Sequence, residues 1–362
     1  MEKLRVGILG ATGAVGQNYM LLLQNHPWFE VTYLAASPNS AGKKYGDAVK
    51  GKWFMDRDIP PGVESLVVQN ASDFGKAALE GCNFVFSSYE GSKEDIQKTE
   101  MNYATAGIPV ISNNSAHRWT EDVPMIIPEI NWDHLKMIDI QRKNRGFDRG
   151  FVVTKPNCSI QSYMTPIEAL WKAGYIPKRM IVSTEQAVSG AGYPGVPSLD
   201  MINNIVPYIG GEDEKTEREP LKIFADIIGG ALNNYNKLKI SATCTRVPVI
   251  DGHTALVNLG FEDKKPESLE EIIGIWENFR SEPQTLGLPF APERPIIYRR
   301  EENRPQPRKD KDSEKGMAVT VGRLRKCDVL DVKFVGLSHN TIRGAAGGAI
   351  LTAELLKAKG YL

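Results

Sequence analysis

A short apolar run at residues 4–9, LRVGIL, passes straight into Gly10, Gly13 and Gly16 at three-residue spacing, and residues 18–24 then carry the apolar density of a helix. Strand, glycine turn and helix in that order open a βαβ unit, which few folds accept at their start. Further apolar strands at 31–36, 83–87 and 109–112 are separated by helix-compatible stretches, so the spacing predicts a doubly wound parallel sheet over roughly the first 150 residues. From Phe151 onward the pattern changes to longer amphipathic strands at 180–188, 239–248, 253–261 and 317–324. These predict a second, α+β domain with an open sheet face available to pack against another subunit. Residues 299–316 are dense in charge and proline and read as a solvated loop, while residues 341–362 are Gly- and Ala-rich and then helical in pattern.

A chain of 362 residues is longer than one hydrophobic core usually serves, consistent with that division. Lys plus Arg and Asp plus Glu both number 44, which removes the electrostatic case for nucleic acid or an acidic membrane as partner. An anionic substrate must then be met by local charges. The N-terminus lacks the apolar core of a secretion signal, and no run of about eighteen apolar residues suggests a membrane span. Cys82, Cys158, Cys244 and Cys327 are widely spaced, so neither a disulfide framework nor a metal site is expected, and a cytoplasmic location is.

The glycine turn suits a dinucleotide, because such glycines let a pyrophosphate approach the unpaired N–H groups of a helix start. NAD enzymes usually place an acid after the second strand to bind the ribose hydroxyls. Here Ser37, Ser40, Lys43 and Lys44 occupy that region, which favours the 2′-phosphate of NADP.

Downstream, Cys158 lies between a strand at 150–153 and a helix-like run, with Asn157 suited to cap the helix. A thiol at a helix start is expected to have a lowered pKa and to serve as a nucleophile toward a carbonyl. Pro166 interrupts the same run and predicts a kink or late start. Arg246 and His253, seven residues apart around a Pro- and Gly-bearing bend, pair a group that can grip a carboxylate with one that can move a proton. Residues 186–195, QAVSGAGYPG, read as a loop shaped for close approach to a ligand.

Taken together, GATGAVG, SNNSAHR, KPNCS, STEQAVSGAGYPG, GGEDEK, TRVPVIDGH and HNTIRGAAGG resemble the aspartate-semialdehyde dehydrogenases, in the branch found in archaea and fungi. The resemblance runs from about residue 4 to the C-terminus. It implies an α/β chain whose Rossmann-like NADP-binding domain comprises residues 1–155 plus 341–362, with a catalytic and dimerisation domain at 156–340. It makes Cys158 the nucleophile, His253 the acid/base and Gln186 the residue that orients substrate. Arg246 would bind the α-carboxylate, Glu212 the α-amino group, Lys215 and Arg118 phosphate, and Asn157 would also touch substrate. Gly10, Thr12, Gly13, Ala14, Val15, Ser37, Ser40, Gly190 and Asn340 would contact NADP, so the C-terminal helix should return to the first domain. The implied enzyme is a homodimer or homotetramer acting on aspartate semialdehyde and phosphate in the biosynthesis of lysine, threonine, methionine and isoleucine. Malonyl-CoA reductase resembles the same scaffold and is the nearest alternative. N-acetyl-glutamyl-phosphate reductase, whose cysteine has a different context, and a non-catalytic NADP-sensing protein stand further off.

Overall fold

The computed structural model describes residues 2–362. Among them the strands are β1 (Leu4–Leu9), β2 (Phe29–Ala36), β3 (Val68–Asn70), β4 (Phe84–Ser87), β5 (Val110–Ser112), β6 (Val152–Thr154), β7 (Pro177–Gln186), β8 (Asp226–Ile228), β9 (Ala231–Asn233), β10 (Lys239–Arg246), β11 (His253–Phe261), β12 (Ile296–Arg299), β13 (Val319–Lys326) and β14 (Val332–Ser338). The first six form one sheet in the order β3-β2-β1-β4-β5-β6, parallel throughout. Strand order reverses between β1 and β4, and the carboxyl ends of strands at such a switch point form a crevice for ligands. The central strands are apolar on both faces because helices cover both: β4 is buried at all four positions.

The second sheet is mixed, in the order β10-β7-β11-β14-β13-β12, and β8 with β9 makes a separate two-stranded ribbon. Here one face is covered and the other open. Val182, Thr184, Ala255 and Val257 point into the core, whereas Ile181 and Leu256 on the opposite face are 45% and 40% exposed. The expected doubly wound sheet and second α+β unit are therefore both present.

Three strands lie outside the expected set. β3 has only three residues with one of them buried, too short for periodicity to show, and β12 and β14 flank the charged segment and a turn. Residues 299–316 differ from the solvated loop expected of them. Asp310 within that segment is 1% exposed, accepts a hydrogen bond from Arg304 Nε at 2.7 Å, and stands 3.2 Å from Arg299 Nε. A charge-rich stretch folds inward here because its charges are mutually paired. At the C-terminus, helix Gly347–Ala358 packs into the same core as Val6, Ile8 and Phe84 of the parallel sheet. His26 Nε2 meets Glu354 at 2.8 Å within that contact, tying the last helix to the start of β2.

Candidate active site

Sheet order explains how three distant residues meet. β7 and β10 run parallel with Gln186 and Arg246 in register at their ends, and β11 starts antiparallel beside β7 with His253 as its first residue. All three side chains thus stand at one end of the second sheet. Arg246 Nη1 donates to Ala187 O at 2.8 Å, and the backbone N–H of Ala187 donates to His253 Nδ1 at 3.0 Å. Close approach of the following loop needs Gly190: a Cβ there would stand 2.9 Å from Arg246 Nη1 and 3.1 Å from His253 Cε1.

Cys158 reaches the same point from the first sheet. Beyond β6 the chain turns at Asn157, whose Oδ1 accepts from the backbone N–H and hydroxyl of Ser159, both at 2.7 Å. That is the expected capping contact, but what it caps is a 3₁₀ turn, Ser159–Ser162, and the α-helix begins only at Met164 with Pro166 in its first turn. The late start is the one Pro166 allows. Cys158 Sγ lies 3.2 Å from His253 Nε2 and keeps part of its surface open.

The thiol does not have the lowered pKa expected from a helix start. Burial raises it and the Glu212 carboxylate raises it further, against the opposing charges of Lys155, Arg118 and Arg246. His253 is pushed down to about 3 by burial, by Arg246, and by His339 and Lys155, so it is neutral at ordinary pH. Because Nδ1 accepts from Ala187, the neutral ring carries its proton on Nε2, facing the sulfur.

One helix, Glu212–Ile223, carries much of the remaining site on a single face. Glu212 accepts two bonds from Asn157 Nδ2, each 2.9 Å, one from Gln186 Nε2 at 3.1 Å and one from Lys215 Nζ at 2.8 Å. Burial alone would raise its pKa, but the Lys215 charge and these donors outweigh it and hold the carboxyl below its ordinary value. Glu219, two turns on, accepts from Arg118 Nη1 at 2.8 Å and from the backbone N–H of Asn157 at 2.6 Å. Lys222 donates to the carbonyls of Arg118, Thr120 and Val123, stapling that loop of the first sheet to the helix.

A cleft of about 350 Å³ unites these groups with the glycine turn. Gly13, Ala14 and Val15 line it together with Arg118, Asn157, Cys158, Gly190, Glu212, Lys215 and Asn340. Gln186, Arg246 and His253 stand just behind that wall, through Glu212, Gly190 and Cys158 respectively. Gly10, Thr12, Ser37 and Ser40 do not line it. Ser37 is exposed and Ser40 half-buried beyond the end of β2, beside the exposed Lys43 and Lys44. Asn340 spends its amide on protein partners, accepting from Gly252 N and donating to Ser189 Oγ, each at 2.8 Å. Sequence reasoning passed over Glu219, Lys155, Lys222 and Gly344. A Cβ on Gly344 would stand 2.8 Å from Cys158 Cβ. Of these only Lys155 had a signal, its place three residues before the cysteine.

The residues fit a dinucleotide. Helix Ala14–Leu22 has Gly13 at its N-cap with no side chain capping it and no acid in its first turn, so its free N–H groups face the cleft without a competing anion. Gly16 packs so tightly that a Cβ would stand 2.3 Å from Gly10 O, which holds the turn in that shape.

The model of the semialdehyde dehydrogenase NAD-binding domain matches residues 5–138, and that of the semialdehyde dehydrogenase dimerisation domain matches residues 167–343. An aspartate-semialdehyde dehydrogenase from Archaeoglobus fulgidus is 44% identical over 97% of this chain and 97% of its own length. One from Aspergillus fumigatus is 42% identical over 99% of each. The crystal structure of the Candida albicans aspartate-semialdehyde dehydrogenase with NADP superposes with a TM-score of 0.90 at 37% identity, covering 100% of both chains. On the glycine turn, the cysteine–histidine pair and these matches along its whole length, the chain belongs to the aspartate-semialdehyde dehydrogenase family.

Proposed function

We propose that this protein catalyses the NADP-dependent, reversible reductive dephosphorylation of L-aspartyl 4-phosphate to L-aspartate 4-semialdehyde through a thioester on Cys158. The observation that carries the reading is the 3.2 Å contact of Cys158 Sγ with His253 Nε2 at the wall of a cleft that also holds the glycine turn. The curated relatives named above all carry the semialdehyde activity in their names, so malonyl-CoA reduction is not favoured. This places the reaction in the biosynthesis of the aspartate-derived amino acids, among them lysine, threonine, methionine and isoleucine.

In the oxidative direction Cys158, as thiolate, adds to the aldehyde carbon and makes a thiohemiacetal. The N–H groups of Asn157 and Ser159 on either side of the cysteine are already committed to Glu219 and to Asn157 Oδ1. They are not the oxyanion donors that a helix start would suggest, and the role falls to the Nε2–H of His253. With that proton already on Nε2, His253 donates to the sulfur in the resting enzyme rather than receiving the thiol proton, and it then donates to the hemiacetal oxygen. NADP held at the glycine turn supplies the hydride acceptor. Phosphate, steered by Arg118 and Lys215, cleaves the thioester to aspartyl phosphate. Arg246 grips the α-carboxylate, Glu212 the α-amino group, and Gln186 with Asn157 orients the reacting carbonyl. Gly10, Thr12, Gly13, Ala14 and Val15 hold the pyrophosphate, Ser37 and Ser40 the adenosine side, and Gly190 and Asn340 the nicotinamide side.

The division of labour follows, with residues 1–155 and 341–362 binding NADP and residues 156–340 performing catalysis and assembly. The open face of the second sheet joins copies of the chain into a homodimer or homotetramer. No helix among the described residues is long and apolar enough to cross a membrane. We place the enzyme in the cytoplasm, where four unpaired thiols persist. Phosphate-dependent NADP⁺ reduction with L-aspartate semialdehyde, measured for wild type and Cys158→Ala, tests the reading. Turnover lost in the variant is expected. A wild type inert with the semialdehyde that oxidises NADPH with malonyl-CoA would replace the substrate assignment.

A further inference from the structure

Glu219 is fully buried, yet neither of its oxygens is idle. Oε1 accepts from Arg118 Nη1 at 2.8 Å and Oε2 accepts from the Asn157 backbone N–H at 2.6 Å, one residue before the nucleophile. Arg118 is held at two further points, through Nε to Lys155 O at 3.0 Å and Nη2 to Asn113 O at 3.1 Å. Three of its five N–H groups are therefore committed to protein, and two remain for a ligand in the cleft that Arg118 lines. Glu212 holds the side-chain amide of the same Asn157. One helix thus fixes the cysteine turn through two carboxylates, and one of those carboxylates also aims an arginine.

We propose that Glu219 is a positioning residue that locks the Cys158 turn and the Arg118 guanidinium into one fixed relation, so that the phosphate bound by Arg118 meets the thioester carbon in line. This rests on the reaction given above. A carboxylate is required rather than any polar group. Two donors converge on it from different elements, and an amide has one acceptor oxygen and would turn its own N–H₂ toward the other donor. Misplacement by about 1 Å in such an arrangement costs on the order of 10²-fold in rate. The charge matters as well. Glu219 is the direct counter-ion of Arg118, and around it stand Lys155, Lys222 and the buried Tyr163, while Cys158 itself faces Glu212, Lys155, Arg118, Arg246 and His253. Removing the Glu219 charge leaves Arg118 uncompensated and favours the thiolate.

Two variants of the full chain, Glu219→Gln and Glu219→Asp, separate positioning from mere stability. For each, turnover and KM for phosphate and semialdehyde are measured with NADP⁺. Alkylation of Cys158 by iodoacetamide is followed from neutral to alkaline pH without substrate. In Glu219→Gln we expect kcat to fall on the order of 10²-fold, KM for the semialdehyde to hold, and the alkylation profile to move to lower pH. The thiol then becomes more reactive toward a small reagent as the enzyme becomes slower. Glu219→Asp keeps the charge and loses the reach, so its alkylation profile stays in place while turnover drops. Wild-type turnover in Glu219→Gln overturns the proposal, as does lost turnover with an unmoved alkylation profile, which would assign Glu219 to folding alone. If wild type itself fails with the semialdehyde, the reaction assignment falls. The alkylation comparison then still decides whether Glu219 governs the thiol.

Discussion

Lys155 shows how far the environment of a residue can depart from its place in a motif. It is 4% exposed, its ammonium donates to Pro156 O at 2.8 Å, and it borders a water-sized void of about 10 Å³ shared with Glu129, Gln161 and Arg343. Burial brings its pKa down from 10.5 to about 7, with Cys158 pulling the other way and Arg118 adding to the fall. Below pH 7 keeping this ammonium buried costs on the order of 5 kcal/mol. As pH rises from there toward 10.5 the folded protein binds fewer protons than the unfolded chain, so the cost shrinks. Lys155→Met should therefore raise the melting temperature, more near pH 6 than near pH 9. Because Lys155 lowers the thiol pKa, the same variant should move Cys158 alkylation to higher pH. Calorimetry and alkylation on one sample check both. Cys158, Arg246 and His253 were legible in the sequence because each is a reactive side chain set among Pro and Gly. Glu219 was not, since in GGEDEKTERE it is one acid among five and nothing local tells a buried carboxylate from a solvated one.

At the level of elements, the glycine turn and its helix were readable from spacing alone, because a strand, three glycines and a helix leave the backbone little choice. Gly16 contributes the absence of a Cβ rather than an unusual dihedral. In Gly16→Ala the new methyl would stand 2.3 Å from Gly10 O, backbone that cannot swing aside. A stability loss of about 1–3 kcal/mol is expected, with NADP binding weakened at least tenfold because the N–H groups of the helix start turn away from the pyrophosphate. Chemical denaturation and fluorescence titration with NADPH measure the two effects. Helix Glu212–Ile223 is the contrasting case. Its charge density suggests a solvated helix, yet Glu212, Thr216, Glu219, Pro220 and Lys222 are all buried because each polar group has a partner on another element. β3 escaped notice for a plainer reason, since three residues cannot display a period.

At the scale of the whole molecule, the open face of the second sheet carries the assembly. Ile181 and Leu256 lie on that face beside Ser183 and Asn258, one on β7 and one on β11. The nearby segment adds Leu199 at 86% and Ile202 at 67% exposure. Replacing Ile181 and Leu256 together by Asp should shift the protein from oligomer to monomer in light scattering, with the parallel sheet intact and NADPH still bound. An unchanged mass would move the interface elsewhere. From the sequence alone came the doubly wound first sheet, the dinucleotide turn and the identity of the nucleophile, since local spacing and strongly restricted residue types determine them. Only the tertiary structure decided what the nucleophile's charge environment is, which carboxylates hold it, and that its histidine carries a proton on Nε2. Those properties arise from burial and from hydrogen bonds between residues 26 to 101 positions apart along the chain, distances over which sequence periodicity carries no information.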